Sequence, residues 1–537
     1  MIYSKFASLK PPLLRREKNA KSHPNTMLFN SLEFAFFLPI VFLIYWFVLQ
    51  RNLKLQNLFI VIVSYIFYGW WDYRFLFLIA LTSFCSWYSG VLIGRFQGKA
   101  EQNIAEATPN AEGKTKQSIS KIILVSNIVL NLAILGFFKY YNFFVDSFID
   151  LFSLFNITLQ ASTLKIILPV GISFYTFQAL SYSIDVYRKK IEPTKDIVAF
   201  FAFVSFFPQL VAGPIERATN LLPQFYKSRK FDYNTAVDGM RQILWGLFKK
   251  IVVADNCAIY VNEVFADYTS QSGSTLLLGA IFFAFQIYGD FSGYSDIAIG
   301  TAKLFGIKLL RNFNVPYFSR DIAEFWRRWH ISLNTWFVDY LYIPLGGSRP
   351  YVNPESKHPE LTKKAKVIRN TFAIFLTSGL WHGANWTFVA WGAYHALLFI
   401  PLILLGKNKR FTDTVANGRI LPNIRECIQM LSTFILVVIG WIFFRAESIT
   451  DAFAYLGGIF DKSLLSAPYL INRDYYIITF IGIITMLFVE WLSRKNEHNL
   501  TLSSIKYVCV RWIIYLVFIF MLFINSSPAA DFIYFQF

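Results

Sequence analysis

The chain has 537 residues, of which 55% are hydrophobic and only 16% are charged. An average soluble protein carries about 25% charged residues, so a disordered chain, a collagen-like fibre and a disulfide-stabilised secreted domain are excluded. A net charge of +18 would suggest nucleic-acid binding in a soluble protein. In so apolar a chain, Lys and Arg first indicate loops held on the cytoplasmic side of a membrane.

Apolar segments long enough to span a bilayer recur along the chain after residue 26. In chain order they lie near 33–49, 54–72, 75–93, 122–144, 163–182, 197–212, 240–260, 274–300, 367–381, 384–405, 428–445, 474–493 and 510–525. Prolines and glycines interrupt two of them, around 169–171 and 208–214, which is typical of re-entrant or half-membrane helices. These segments predict an all-α polytopic membrane protein.

Loop charges predict the orientation of the chain. Lys and Arg concentrate in the loops 94–121, 346–369, 405–427 and 493–511, which the positive-inside rule assigns to the cytoplasm. The segment 446–473 carries three acidic residues against two basic ones and fits the outside. The last helix then leaves the C-terminus on the extracytoplasmic face, and counting back places the N-terminus outside as well.

Residues 1–26 conflict with this orientation. They carry six basic residues against one acidic residue and would have to be translocated, yet they lack the apolar core of a signal peptide. A functional start at Met27 removes the conflict. We therefore predict a basic extension over 1–26, a transmembrane domain over 27–525 and a C-terminal tail over 526–537.

The stretch from Asn314 to Gly347 combines aromatic and ionisable residues. Its central part contains Trp326, Arg327, Arg328, Trp329 and His330. A continuous helix here would place Trp326, His330 and Asn334 on one face. The arginines are explained equally well as contacts to a phosphate and as ordinary cytoplasmic anchors.

A second constellation, TSGLWHGANWTFVAWGAYHALLF, places His382 between Trp381 and Gly383, with Asn385 close behind. Intramembrane ionisable residues are costly and are functional by default. His395 in the same run is more simply a structural residue. His330 and His382 fit two explanations equally well, an acid/base pair or two satisfied core histidines. Neither has a third ligand at metal-binding spacing, so no metal site is predicted.

A third polar patch interrupts the apolar run from Phe283 to Gly300. Its polar members are Gln286, Asp290, Ser292 and Asp296. Their near-helical spacing predicts the lining of a pore or tunnel, although the glycines between them also allow a close contact between two helices.

Four segments resemble signatures of the membrane-bound O-acyltransferase family, in its bacterial polysaccharide branch. They are FWRRWHISLNTWFVDYLYIPLGGSR, SGLWHGANWTFVAWG, PVGISFYTFQALSYSIDVYR and FFPQLVAGPIER. The resemblance runs from Met27 to Phe537. It implies a ring of about eleven tilted transmembrane helices, with additional short helices, around a tunnel. It also implies that His330 and His382 are the catalytic pair, with His382 as the base and His330 as a polariser or second proton carrier.

The resemblance further implies the reaction and its partners. The donor would be cytoplasmic acetyl-CoA, with no bound cofactor, and Arg327 and Arg328 would meet its phosphates. A periplasmic SGNH-hydrolase-like acetyltransferase would pass the acetyl group to a polysaccharide such as alginate, peptidoglycan or cellulose. The protein would lie in the bacterial inner membrane, among lipids, without a nucleic-acid partner.

The tail ends in PAADFIYFQF, and residues 532–535 fit a Phe-X-Tyr-Phe motif of related acyl-export systems. That resemblance implies that Tyr534 carries the acyl group. Nine residues separate Asn525 from Tyr534, a reach of up to about 30 Å, which is comparable to the bilayer core. The tail could therefore return into the tunnel. The alternative is an aromatic anchor for the last helix.

Two other classes of protein fit part of the pattern. A transporter or flippase for a small metabolite would also show broken helices and polar residues at the membrane midplane. A scaffold for a polysaccharide synthase would need neither histidine. A transporter would not cleave a thioester, whereas an acyltransferase would. A scaffold would keep its function when the histidines are substituted, whereas an acyltransferase would lose it.

Overall fold

The structure is a computed structural model that describes residues 27–105, 111–159, 164–211, 213–347, 359–470, 473–502, 505–525, 530 and 532–535. The predictions for the extension 1–26 lie outside these residues, as does much of the loop 346–369. Within the described ranges the chain forms helices and connecting loops, and no β-strand.

The described residues in the first half of the chain form a series of helices. They are α1 (Leu32–Leu43), α2 (Leu53–Asp72), α3 (Leu76–Ala105), α4 (Ala111–Ser153), α5 (Ile172–Tyr187), α6 (Ile197–Ser205), α7 (Phe207–Leu210), α8 (Ala218–Leu221), α9 (Tyr233–Leu247) and α10 (Asp255–Ala266). A π-helical stretch, Phe248–Ala254, joins α9 to α10.

The second half begins with the longest buried helix and ends with the C-terminal one. These helices are α11 (Gly273–Leu304), α12 (Ile322–Arg328), α13 (Ile331–Phe337), α14 (Pro359–His382), α15 (Trp386–Leu404), α16 (Ile424–Arg445), α17 (Ile449–Ile459), α18 (Arg473–Leu492) and α19 (Val508–Ile524). A short 3₁₀ turn, Ile533–Phe535, follows in the tail.

Several described helices are long and apolar enough to cross a membrane. They are Leu53–Gln97, Lys116–Ser153, Gly273–Leu304, Trp386–Leu404 and Ile424–Arg445, with shorter apolar helices at Leu32–Val48, Tyr476–Leu492 and Val508–Ile524. The predicted all-α polytopic class is therefore confirmed, whereas the count of about eleven spanning helices is not.

Helix α11 lies at the centre of the bundle. In its most apolar window 83% of the residues are buried, against 22% in the corresponding window of α4. A Cβ added at Gly293 would lie 2.8 Å from the carbonyl oxygen of Gly246 on α9, so the two backbones touch. The close contact that the glycines allow is thus present, and it fixes the polar residues of α11 in the protein interior.

Helices α14 and α15 form an antiparallel hairpin whose turn carries His382. A Cβ at Gly379 would lie 2.2 Å from the carbonyl oxygen of Phe388, so only glycine allows this approach. At the other end of the hairpin, Lys364 Nζ donates to Leu404 O at 3.0 Å. Helix α14 has 24 residues, which at 1.5 Å per residue is about 36 Å, so His382 lies far from Lys364.

The basic loops meet at the Lys364 end of this hairpin. Arg494 Nε, from the loop 493–511, donates to Val415 O in the loop 405–427 at 3.1 Å. We call this side, where the loops 405–427 and 493–511 meet the start of α14, the basic end. At the opposite side, Asn385 Nδ2 donates to Glu447 O in the predicted outer segment at 2.9 Å. Two of the basic loops, 405–427 and 493–511, therefore lie together at the end of the hairpin away from the acidic segment.

Candidate active site

The helix that the sequence predicts through His330 is broken in the structure. Helix α12 ends at Arg328, Trp329 is extended (φ −99°, ψ 129°), and His330 is left-handed (φ 46°, ψ 52°) before α13 begins. The prediction that Trp326, His330 and Asn334 share one helical face is therefore wrong. Trp326 instead donates to His395 Nδ1 at 3.3 Å, and the His330 ring packs on Phe291 with centroids 4.6 Å apart.

The Asn334 side chain stabilises the break. Asn334 Nδ2 donates to Trp326 O at 2.7 Å and to Trp329 O at 2.6 Å. These two carbonyl groups would otherwise lose their helical partners at the end of α12. Asn334 therefore acts on the backbone that carries His330.

Asn312 orients the His330 ring from the preceding loop. Its Oδ1 lies 3.0 Å from His330 Nδ1 and accepts from Ser332 Oγ at 2.8 Å. Its own amide donates to Ser295 Oγ on α11 at 3.0 Å. Because an amide oxygen only accepts, Nδ1 carries the proton in this pair and Nε2 is left with its lone pair. Nε2 is buried and has no hydrogen-bond partner among the described residues.

His382 is the last residue of α14 and is held by α4. Lys139 Nζ donates to Trp381 O at 2.5 Å and to His382 O at 3.1 Å. A lysine at a helix C-terminus satisfies terminal carbonyl groups and interacts favourably with the helix dipole. The imidazole of His382 lies 6.4 Å from that of His330, measured between ring centroids.

The tail returns to this pair. The ring centroid of Tyr534 lies 5.6 Å from that of His382 and 4.5 Å from that of Phe291. Asp290 Oδ2 accepts from the backbone amide of Ile533 at 2.7 Å. The structure thus brings His330, His382 and Tyr534, which lie far apart in the sequence, into one cluster beside α11.

A cavity of about 80 Å³ opens beside this cluster. Its lining includes Lys139, Trp381, His382 and Tyr534, together with the segment around Pro169–Gly171. Gly171 is left-handed (φ 72°) and α5 begins only at Ile172, so the predicted interruption forms one wall. A water molecule occupies about 30 Å³ of liquid, so the cavity has room for small groups beside His382.

The other α11 residues divide between two places. Gln286 is buried one turn before Asp290. Ser292 accepts from Lys249 Nζ at 2.8 Å, and Lys249 also pairs with Asp296 at 2.6 Å. Ser292 therefore belongs to a polar cluster with Lys249 and Asp296, and among the described residues Ser292 is hydrogen-bonded to neither His330 nor His382.

The remaining predicted site residues make contacts within the protein. Arg328 pairs with Glu324 at 2.7 Å, and Arg327 donates to Phe411 O at 2.7 Å in the loop 405–427. The Trp329 ring packs on Trp441, with centroids 4.9 Å apart. Asn385 caps α15 by accepting from the backbone amide of Thr387 at 2.9 Å.

Sequence reasoning missed two residues that hold the histidines. Lys139 is an ionisable residue inside the predicted segment 122–144, so the criterion that selected the histidines would have found it. Asn312 lies just outside the stretch that begins at Asn314, and an asparagine in a loop carries no such signal. Among the described residues, no group of three or more His, Cys, Asp and Glu side chains could hold a metal ion.

We expect Asn312→Leu to lower any activity that depends on His330 about tenfold or more, since a barrier increase of about 1.4 kcal/mol has that effect. The substitution keeps the volume of the side chain and removes the acceptor that orients His330. Asn57→Leu is the control, because Asn57 is equally buried and bonds Phe225 O at 2.8 Å. Activity assays on membranes with equal protein amounts check this, and an unchanged rate for Asn312→Leu would contradict the orienting role.

The fold and the site define an all-α membrane protein with two buried histidines, one of which, His382, lines a cavity. The family model of the membrane-bound O-acyltransferases matches residues 192–445, which include both histidines. The probable alginate O-acetylase of Pseudomonas aeruginosa is 38% identical over 435 residues, covering 81% of this chain and 75% of the relative. The chain belongs to the membrane-bound O-acyltransferase family.

Two further relatives show which kinds of enzyme within the family this chain resembles. The peptidoglycan O-acetyltransferase of Helicobacter pylori is 32% identical over 561 residues, covering 95% of this chain and 98% of that protein. The teichoic acid D-alanyltransferase of Bacillus subtilis is 27% identical, covering 52% of this chain and 69% of the relative. The chain is therefore a bacterial membrane O-acetyltransferase, an enzyme of the acyltransferase class.

Proposed function

We propose that this enzyme takes acetyl groups from acetyl-CoA on the cytoplasmic side and delivers them for O-acetylation of an extracytoplasmic polysaccharide. The observation that carries the proposal is the contact of His382 with Tyr534 beside an internal cavity, with His330 within 6.4 Å of His382. Two of the relatives are named for acetylation of alginate and of peptidoglycan, which supports a polysaccharide acceptor.

The chemistry needs a base, because the phenol of Tyr534 is protonated near neutral pH. His382 takes the phenol proton as the oxygen attacks the thioester carbonyl carbon. The C–S bond then breaks, the acetyl group becomes an ester of Tyr534, and the coenzyme A thiolate recovers the proton from His382. His330, held by Asn312, polarises the carbonyl or carries a second proton. A hydroxyl of the partner then takes the acetyl group and restores Tyr534.

The direction of transfer follows from the basic end. The positive-inside rule assigns its loops to the cytoplasm, so acetyl-CoA enters there and the C-terminus lies outside. Arg327 is exposed at this end, and we assign to it the contact with the phosphates of acetyl-CoA. Arg328 is buried against Glu324 and keeps a structural role. The acceptor side is then the periplasm, where an SGNH-type acetyltransferase receives the acetyl group in an inner-membrane assembly.

Acetyl-CoA labelled in the acetyl group distinguishes this function from transport. Purified enzyme in lipid vesicles is expected to release free coenzyme A thiol and to transfer the label to a hydroxyl acceptor. A transporter would move the compound across the bilayer with its thioester intact. Absence of thiol release in the wild type, with intact labelled acetyl-CoA inside the vesicles, would contradict the proposed function.

A further inference from the structure

A cluster of buried charges lies beside the catalytic histidines but takes no part in the chemistry described above. Lys250 Nζ pairs with Asp255 Oδ1 at 2.9 Å and with Asp290 Oδ1 at 2.8 Å. The three side chains are at most 4% exposed. They come from the π-helical stretch, from α10 and from α11. Burying charged groups at membrane depth costs free energy, so we expect such a cluster to have a function.

The backbone of the tail completes this cluster. Lys250 Nζ donates to Ala530 O at 2.9 Å, and the amide of Ile533 donates to Asp290 Oδ2 at 2.7 Å. Lys250 and Asp290 are therefore bonded to main-chain groups of the tail, and Asp255 pairs with Lys250. Hydrogen bonds to charged partners are about twice as strong as neutral ones.

Aromatic side chains form the second half of the contact. Phe532 is fully buried, and its ring lies 4.3 Å from Tyr294 on α11, between centroids. Ile533 is 1% exposed. The Phe532 ring also stacks on Tyr534 at 5.5 Å, so the docked tail directs the phenol towards His382. The charges bind the backbone, and the apolar surface selects a phenylalanine two residues before the tyrosine.

We propose that Lys250, Asp255 and Asp290 form a binding site for the backbone of the C-terminal tail at Ala530 and Ile533. Its role is to position Tyr534 at His382. Lys250 and Asp290 are positioning residues, since they bond the tail backbone and not the phenol, and Asp255 holds Lys250 in place. Only the positioning role rests on the proposed function. The docking of the tail stands on the contacts alone.

A cysteine at position 530 measures docking directly. Because the cluster bonds the backbone there, Ala530→Cys keeps the contacts. Ala530→Cys is introduced into a full-length chain in which the three accessible cysteines are removed by Cys85→Ala, Cys427→Ser and Cys509→Ser. Cys257 is retained because it is fully buried on α10 and becomes labelled only if the fold opens. The rate of reaction with a small maleimide is measured on the purified protein.

Asp290→Asn and Lys250→Met are expected to raise the labelling rate of the cysteine at 530 about tenfold or more, because the docked state loses charged bonds. Cys257 stays unlabelled. Lys303→Met is the matched control, since Lys303 pairs with Asp238 at 2.6 Å away from the tail, and its labelling rate is expected to be unchanged. Asp290→Asn, which is isosteric, keeps the test valid if Lys250→Met does not accumulate. An unchanged rate for Asp290→Asn with Cys257 protected would overturn the proposal.

Acetyl transfer, measured together with protection of Cys257, tests the positioning role. Asp290→Asn is expected to lower acetyl transfer while Cys257 stays unlabelled, because the phenol of Tyr534 is no longer held at His382. A merely structural role would lower acetyl transfer only together with exposure of Cys257. Two results together would separate docking from the relay. If Tyr534→Phe is fully active, Tyr534 does not carry the acetyl group. If Asp290→Asn still raises the labelling rate of the cysteine at 530, the tail nonetheless docks at this site.

Discussion

His382→Ala is expected to abolish polysaccharide acetylation while the protein still accumulates in the membrane. A positioned general base contributes about 10²–10⁴-fold to a rate, so its loss reduces acetylation to background. The fold should persist, because the turn is held by Lys139 and by the glycine contact of α14 with α15 rather than by the imidazole. Acetyl content of the isolated polymer and immunoblots of the membrane fraction check both parts.

His330→Ala is expected to give the same loss, since its free Nε2 is the second proton-accepting group of the cluster. His395→Gln is the matched control. His395 is fully buried, but it accepts from Trp326 and does not contact Tyr534 within the described structure. Normal acetylation in both His382→Ala and His330→Ala would contradict the mechanism. Loss of acetylation in His395→Gln alone would indicate that the catalytic site lies at His395 instead.

Tyr534→Phe is expected to lose polymer acetylation to the same degree as His382→Ala. The change removes one oxygen atom and leaves the ring on Phe291 and His382, so the tail keeps its packing. The attacking atom of the relay is the only thing lost. Acetylation is measured in cells that express the variant at the wild-type level.

Tyr515→Phe controls for loss of a phenol hydroxyl near the C-terminus. Tyr515 lies on α19, where its hydroxyl accepts from Arg241 Nε at 2.7 Å, away from the histidines. It is expected to leave acetylation unchanged. Full activity of Tyr534→Phe would mean that the tail is an anchor and that another group receives the acetyl.

Composition was enough to predict the membrane class, and the resemblance of four segments to known signatures identified the family. Ionisable residues in apolar sequence drew attention to His330 and His382, and the resemblance of the C-terminal motif drew attention to Tyr534. The structure gathers these three residues into one cluster. The histidines stand out because ionisable groups are so costly in apolar sequence that few positions carry them. The same criterion applied to Lys139 and Lys250 would have added the residues that hold α14 and the tail.

The helix break at His330 could not be predicted in this way. The stretch has no proline or glycine near His330, and its aromatic periodicity favours one helix. A left-handed histidine costs local free energy. Hydrogen bonds from Asn334 and from the distant loop residue Asn312 offset that cost. Tertiary contacts of this kind override local propensity and are not visible as a sequence pattern.

The central claim is that an acetyl group becomes covalently attached to Tyr534 with His382 as the base. Incubation of purified enzyme with labelled acetyl-CoA, without an acceptor, followed by mass spectrometry of the C-terminal peptide, tests it most directly. The account predicts an acetyl ester on Tyr534 in the wild type and none in His382→Ala. A wild-type enzyme that acetylates polymer while its C-terminal peptide stays unlabelled throughout turnover would contradict it.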